Sequence, residues 1–330
     1  MRQSAYIEPV EALPVVIAAT GERVGQAISR ILRVSGMTEE MYNELSGRIE
    51  GLLAGRPPVT IPELREMLGP HVPERREAVH YAVALMCRQS RLVRAEVRGS
   101  WRSDNYTYAR WEDWVGAPVE EVEPESARVD LARRYLRAYG PATAADLKWW
   151  AGWTVREANT AVMGLGDSVT SVSVTDKGAA PSAALVLADE EDDLLATEPE
   201  EARGIRLLPV WDAYLMGWAD RRRFVREADY GRVYDKVGNG TSVVLIDGVA
   251  EGVWEFDYAD KPRGGSLTVR VAPFGAVVEE RWGEVEEAAG RIGDAVGVGE
   301  LRVERVGEAG RLADGVRNAF LAPIRLGGAG

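Results

Sequence analysis

The sequence predicts an α+β protein, with helices dominating the first half and short strands with one long helix following. Three observations predict it. Apolar residues recur at helical spacing early in the chain, as in Val24, Ala27, Ile28, Ile31 and Leu32. The order helix, turn, helix, alternating strand occurs twice, once from Thr60 and once from Ser126. From Ala184 onward the apolar runs shorten to strand length, punctuated by turns such as Asp247-Gly248.

The length of 330 residues and mass of 36.1 kDa call for more than one folded unit. Hydrophobic residues at 46% and charged residues at 28% are ordinary for a globular chain. No stretch free of Asp, Glu, Lys and Arg reaches the ~20 apolar residues of a membrane helix. Ala12–Gly21 has the apolar length of a secretion signal, but Glu8 and Glu11 stand where positive charge belongs and Pro14 interrupts it. The expectation is a cytoplasmic protein without a membrane partner.

The elements follow in order. Residues 1–56 read as a helical segment, with helices over Glu11–Thr20, Arg23–Val34 and Glu39–Leu53, the last capped by Thr38 and facing inward through Met41, Leu45, Ile49 and Leu52 or Leu53. Residues 57–125 start with Thr60-Ile61-Pro62-Glu63, a helix opening with proline in the first turn. Gly69-Pro70 ends that helix, and a second runs over Pro73–Gln89 with Val79, Val83 and Met86 inward. Leu92–Arg98 and Tyr106–Trp111 then alternate as two strands around a polar tip. That order predicts a winged helix.

Residues 126–180 repeat it, with helices over Ser126–Tyr139 (Val129, Ala132, Leu136 and Tyr139 on one side), Ala144–Ala151 capped by Thr143, and from Thr154 to Leu165, then a strand over Ser168–Thr175. Residues 181–330 carry strands at Ala184–Ala188, Ile205–Pro209, Ser242–Asp247, Glu251–Tyr258, Ser266–Val271 and Leu301–Val306, with a helix over Glu279–Ala295. They predict a small C-terminal β-barrel closed by that helix.

The chemical inventory excludes several classes. One cysteine, Cys87, allows no internal disulfide, and with only His71 and His80 beside it an ordinary structural zinc site is excluded. Ser-His-Asp and Cys-His hydrolases start from a poor stock, and no GxxxxGK[ST] loop is present. No metal and no cofactor is expected.

The net charge of −12 argues against nucleic acid, yet it is uneven. Between residues 74 and 110, Arg75, Arg76, Arg88, Arg91, Arg94, Arg98, Arg102 and Arg110 outnumber Glu74, Glu77, Glu96 and Asp104. The acids concentrate between 112 and 130 and between 189 and 203.

Three stretches carry a family resemblance. Met1-Arg2-Gln3-Ser4-Ala5-Tyr6-Ile7-Glu8-Pro9 is similar to a Met-Arg-Gly-Thr-Leu-His-Leu-Val-Pro element. Arg134-Tyr135-Leu136-Arg137-Ala138-Tyr139-Gly140-Pro141-Ala142-Thr143 is similar to a helix-turn entry. Leu207-Leu208-Pro209-Val210-Trp211-Asp212-Ala213-Tyr214-Leu215-Met216-Gly217-Trp218-Ala219-Asp220-Arg221 is the most specific; the signature positions are Arg2 of the first stretch and Pro209, Asp212, Tyr214, Gly217, Asp220 and Arg221 of this one. These resemble the winged-helix family of AlkZ-type bacterial alkyl-DNA glycosylases.

The resemblance implies tandem winged helices with a β-barrel, duplex DNA as partner (alkylated or crosslinked), and hydrolysis of the N-glycosidic bond of a damaged purine. Members of the family carry Gln-x-Gln, Gln-x-Asp or His-x-Gln as catalytic motif. Here Gln3, Gln26 and Gln89 have no Gln or Asp two positions on, and His71 and His80 have no Gln there. The chain therefore reads as a relative shortened at its N-terminus or begun at an internal methionine, with binding favoured over catalysis and no catalytic residue assigned. An N7-alkylated purine leaves already cationic, so the chemistry asks mainly for one polar group to position water and stabilise the sugar cation. Asp212 and Asp220 are available, though capping and pairing with Arg221–Arg223 are the expected uses.

The expected DNA-contacting residues are Arg75, Arg76, Arg88 and Arg91 around the second helix of the 57–125 segment, and Arg98, Trp101 and Arg102 at its ribbon tip. Lys148 and Arg156 in the next segment and Arg222 and Arg223 in the basic run complete the set. The alternative is a non-enzymatic DNA-binding transcription or architectural factor, and a third reading is a protein scaffold.

Overall fold

The computed structural model describes residues 9–71, 77–99, 103–175, 181–198, 204–236, 238–259 and 264–307. The chain divides into two compact units with the division at residues 134 and 135, so the described residues of the first run from 9 to 134 and of the second from 135 to 307. Among the described residues no helix is long and apolar enough to cross a membrane.

The first unit opens with α1 (Leu13–Thr20), α2 (Glu22–Ser35) and α3 (Glu39–Leu53). Thr38 caps α3 by accepting from the Met41 amide, and Glu39 and Glu40 favour the positive end of the helix dipole. A two-residue strand, β1 (Val59–Thr60), leads into α4 (Ile61–Leu68). Thr60 and Glu63 form a reciprocal capping box, and Pro62 costs nothing in a first turn whose amide has no helical acceptor. Next come α5 (Glu77–Arg88), β2 (Leu92–Val97), β3 (Tyr106–Arg110) and α6 (Trp111–Val115). The strands form an antiparallel sheet in the order β1-β3-β2, with Val59 opposite Tyr108 and Leu92 opposite Arg110.

One core joins these elements through Tyr42, Leu45, Ile49, Leu53, Leu64, Leu68, Val79, Val83, Met86 and Leu92. Each such aliphatic side chain contributes ~1.5–3 kcal/mol by burial. Met41, expected inward, is exposed, and Tyr42 takes the buried place.

α7 (Pro124–Tyr139) carries the division between units. Its buried residues include Leu131, Ala132, Tyr135 and Leu136. The second unit continues with α8 (Ala144–Ala151) and α9 (Val155–Gly164), both entered through capping boxes, Thr143 with Asp146 and Thr154 with Glu157. β4 (Val169–Val174) and β5 (Ser182–Leu187) pair as an antiparallel hairpin. Ala142 adds a bridge to Leu185 on its outer edge. The second unit thus repeats a device of the first, in which a short extended segment pairs with the ribbon and then starts a helix at a threonine cap. β5 was expected as the first strand of the C-terminal part; its hydrogen bonds go to β4 instead.

After α10 (Glu191–Ala196) come β6 (Ile205–Leu208), α11 (Glu227–Val233), β7 (Val243–Ile246), β8 (Val249–Ala259), β9 (Ser266–Pro273), α12 (Ala276–Glu280), α13 (Trp282–Val296) and β10 (Glu300–Arg305). They form one five-stranded sheet in the order β10-β9-β8-β7-β6. Asp247 and Gly248, with φ of 48° and 85°, make the tight turn between β7 and β8. β10 lies parallel to β9, which requires the crossover that α12 and α13 supply.

The expected β-barrel is corrected here. The sheet is open, with β6 and β10 as its edges, and α13 packs near both. Val285, Ala288 and Ala289 of α13 share a core with Ile205, Val244, Ile246, Trp254, Leu267 and Val269. The helix fills the place where barrel closure would bring the edges together. The helix expected over Glu279–Ala295 is two helices, divided at Arg281.

Candidate nucleic-acid interface

In the first unit the expected contact residues fall into three groups. Arg75, Arg76, Trp101 and Arg102 lie outside the described residues, as does Arg2 of the signature. Arg88, at the end of α5, is half-buried and pairs with no carboxylate among the described residues. Arg91 is committed within the fold. It donates from Nε and Nη2 to the two oxygens of Glu50 at 2.7 and 2.8 Å, and from Nη1 to the Ser46 hydroxyl at 3.0 Å. This bidentate pair holds the Glu50 carboxyl below its ordinary range. Arg98 pairs with Glu63 and donates to the Pro58 carbonyl at 3.3 Å. The Thr60 amide and hydroxyl together with Arg98 hold Glu63 down to about 2. The Arg98 guanidinium therefore sits over the α4 cap rather than at the ribbon tip. Burial pushes the Cys87 thiol up to about 12, which disfavours the nucleophilic thiolate.

In the second unit the most specific sequence stretch, Pro209–Arg223, forms an irregular loop fixed from several sides. Tyr135 donates its hydroxyl to the Gly217 carbonyl at 2.9 Å, and Tyr234 donates to the Leu215 carbonyl at 2.8 Å. Trp218 donates from its indole to the Tyr139 carbonyl at 3.0 Å. Asp146, nearly fully buried, closes the α8 capping box with one oxygen and accepts from the Ala219 and Asp220 amides at 2.9 and 3.3 Å with the other. Tyr135, Tyr139, Trp150, Trp218, Tyr214 and Phe224 form a continuous chain of ring contacts with centroids 5.0–6.3 Å apart. Burial raises the Tyr135 and Tyr234 phenols, so both remain neutral donors.

The signature residues divide by role. Gly217 is buried where an added Cβ would lie 2.6 Å from the Tyr139 ring. Asp212 accepts from the Tyr214 amide at 2.8 Å, a turn-forming use. Asp220 accepts from the Arg222 amide and pairs with its guanidinium, which lowers the carboxyl's pKa.

Arg221 does not pair with Asp212 or Asp220, the use expected of it. It is 3% exposed and pairs with no carboxylate among the described residues. Its guanidinium lies 3.8 Å from the Tyr234 ring centroid and 4.6 Å from that of Trp149, and it donates to the Gly238 carbonyl at 3.1 Å and the Tyr230 hydroxyl at 3.3 Å. It clamps α8 to α11 by cation–π stacking.

Several groups remain on the surface. Lys148 and Arg156 are exposed on α8 and α9, and neither pairs with a carboxylate among the described residues. Arg223 is exposed and stacks over Trp218 at 4.2 Å. Trp211 is 61% exposed, and its φ of 56° places a bulky residue in the left-handed region. Such strain costs on the order of 1–3 kcal/mol. The sequence reading missed Asp146 and Trp211. The Thr-x-x-Asp spacing of a capping box could have flagged Asp146; nothing local marks the backbone of Trp211.

The fold and this loop define the class: a two-unit α+β protein whose units each carry capped helices leading to an antiparallel ribbon. The chain belongs to the DNA glycosylase AlkZ-like family, whose family model matches residues 1–295. It is 30% identical over 198 residues to an interstrand DNA cross-link repair glycosylase of Streptomyces sahachiroi, covering 59% of this chain. It spans about half the length of that relative, 48%. It is also similar to the solved structure of Streptomyces sahachiroi DNA glycosylase AlkZ, at a TM-score of 0.66 and 27% identity over 91% of this chain and 78% of that one.

Proposed function

We propose that this protein binds duplex DNA and recognises alkylated or crosslinked purines, using its two capped helix–ribbon units as winged helices. The observation that carries the reading is the family match over residues 1–295, with structural similarity over 91% of the chain to a DNA glycosylase.

The surface chemistry supports it. Arg156 lies in the first turn of α9, where the helix dipole disfavours a cation by ~0.3–1 kcal/mol. A DNA phosphate at that helix end would reverse the sign. Lys148, Arg88 and Arg223 are offered as further phosphate contacts, because none has to leave a carboxylate first. Arg75, Arg76, Arg102 and Trp101 keep their place in the proposal from sequence alone. Arg91, Arg98 and Arg222 would first have to give up Glu50, Glu63 and Asp220.

The reaction class that follows is hydrolysis of the N-glycosidic bond. No described residue is assigned to position the water. Asp212 and Asp220 are both engaged in the loop, and Gln89 accepts from the Tyr42 hydroxyl. The lack of Gln-x-Gln, Gln-x-Asp or His-x-Gln in the 330 residues favours, as second reading, a binding protein that does not release the base.

The test is a titration of duplex DNA across a salt series. The expected result is a binding constant that falls log-linearly with salt, at about −0.9 per phosphate neutralised. No binding at low salt would overturn the proposal and favour the scaffold.

A further inference from the structure

We propose that Trp211 is a stacking wedge for a nucleobase displaced from a distorted duplex, with Arg223 on the same loop meeting a flanking phosphate. The inference rests on the DNA-binding reading above and adds a site to it.

Three observations on Trp211 carry it. Trp211 is the most exposed tryptophan among the described residues, on a chain whose other described tryptophans mostly join ring clusters or cores. Its backbone is held in a conformation a bulky residue avoids. The turn around it is closed by hydrogen bonds from the Asp212 amide to the Pro209 carbonyl at 3.2 Å and from the Met216 amide to the Asp212 carbonyl at 3.1 Å. The ring is therefore presented by a framework that tolerates strain to keep it outside, which a core role does not require.

The loop that carries Trp211 is anchored a few residues on. Tyr214, three residues on, is 40% exposed and packs on Trp218 and Phe224 with centroids 5.3 and 5.4 Å away. Leu215 and Phe224 are fully buried. A side chain that must hold a base needs such support, since ordering it on binding would cost entropy.

The charge around the loop suits a nucleic acid. Arg223 stacks on Trp218 and is close enough to Tyr214 to act on its phenol. Arg222 is exposed, and its pairing with Asp220 neutralises that acid. The Asp212 carboxylate turns back onto the Tyr214 amide. An exposed aromatic face on a loop that also carries a cation suits unstacked bases without regard to sequence. A base pushed out by a lesion or crosslink offers such a face; an intact stack does not.

The experiment compares wild type, W211A, W211F and W211G on a duplex with a single 2-aminopurine bulge and on the matched intact duplex. Anisotropy gives affinity, and 2-aminopurine emission reports stacking. The expected result is quenching by wild type, and a loss in W211A of between about 5- and 150-fold on the bulged duplex, the span seen for one stacked aromatic. The intact duplex should change by less than about twofold, and W211F should keep most of the affinity, since any aromatic face stacks. W211G should melt no lower than wild type, because glycine relieves the strain. Wild type binding both duplexes, with W211A matching it in affinity and emission, would overturn this inference alone and turn the patch toward a protein partner. Wild type binding neither duplex would overturn the DNA reading itself.

Discussion

Asp146 ties the second unit's irregular loop to the start of α8. It is 3% exposed and accepts from Thr143 twice and from the Ala219 and Asp220 amides. D146A removes the α8 cap, worth ~1 kcal/mol. It also leaves two part-buried backbone donors without an acceptor, at ~1 kcal/mol or more each. The expected loss is ~3 kcal/mol, which lowers the melting temperature of a unit this size by roughly 6–12 °C. D146N keeps one acceptor oxygen and should fall between. Thermal and urea unfolding followed by tryptophan fluorescence would measure both. If D146A melts within about 2 °C of wild type, the loop is held by its ring contacts and this reasoning fails.

Three further outcomes follow from the same geometry. G217A places a methyl group 2.6 Å from the Tyr139 ring, itself wedged among Tyr135, Trp150 and Trp218, and should destabilise by ~1–3 kcal/mol in urea melts. Glu63 has a folded pKa of about 2 against an ordinary 4.5, so the stability it lends is full above pH 4.5 and lost as pH falls from there toward 2. E63Q should flatten that part of the acid-unfolding curve. R156A should weaken binding to all duplexes alike and reduce the salt slope by about one phosphate contact, as read from the titration across salt.

The parts of the fold that were legible in the sequence are those with local causes. Thr38, Thr60, Thr143 and Thr154 each begin a helix where a threonine precedes an apolar period, and all four caps form. Asp247-Gly248 makes its turn because both residues accept positive φ. What was not legible depends on distant partners. β1 is two residues long and exists only because Tyr108 lies opposite Val59. The open sheet follows from where α13 packs, which no local pattern of strands reveals. Among candidate site residues, the arginines looked alike in sequence. Their fates differ because Glu50, Glu63 and Asp220 come from elsewhere in the fold or from the turn's own geometry. Arg221 read as surface charge and is buried against two rings, one of which, Trp149, comes from α8, far back in the chain. Trp211 was one aromatic among ten tryptophans until its φ and exposure set it apart.

Recognition of damaged purines in duplex DNA can be measured in one experiment. Its most direct test compares the affinity of the 330-residue chain for one duplex carrying a single N7-alkylated guanine with that for the same duplex undamaged, at fixed salt, while free base is measured in the same tubes. Tighter binding to the damaged duplex is expected, whatever its flanking sequence, with base release separating an enzyme from a binding protein. Equal affinity for the two duplexes, or a preference set by sequence rather than by the lesion, would contradict it.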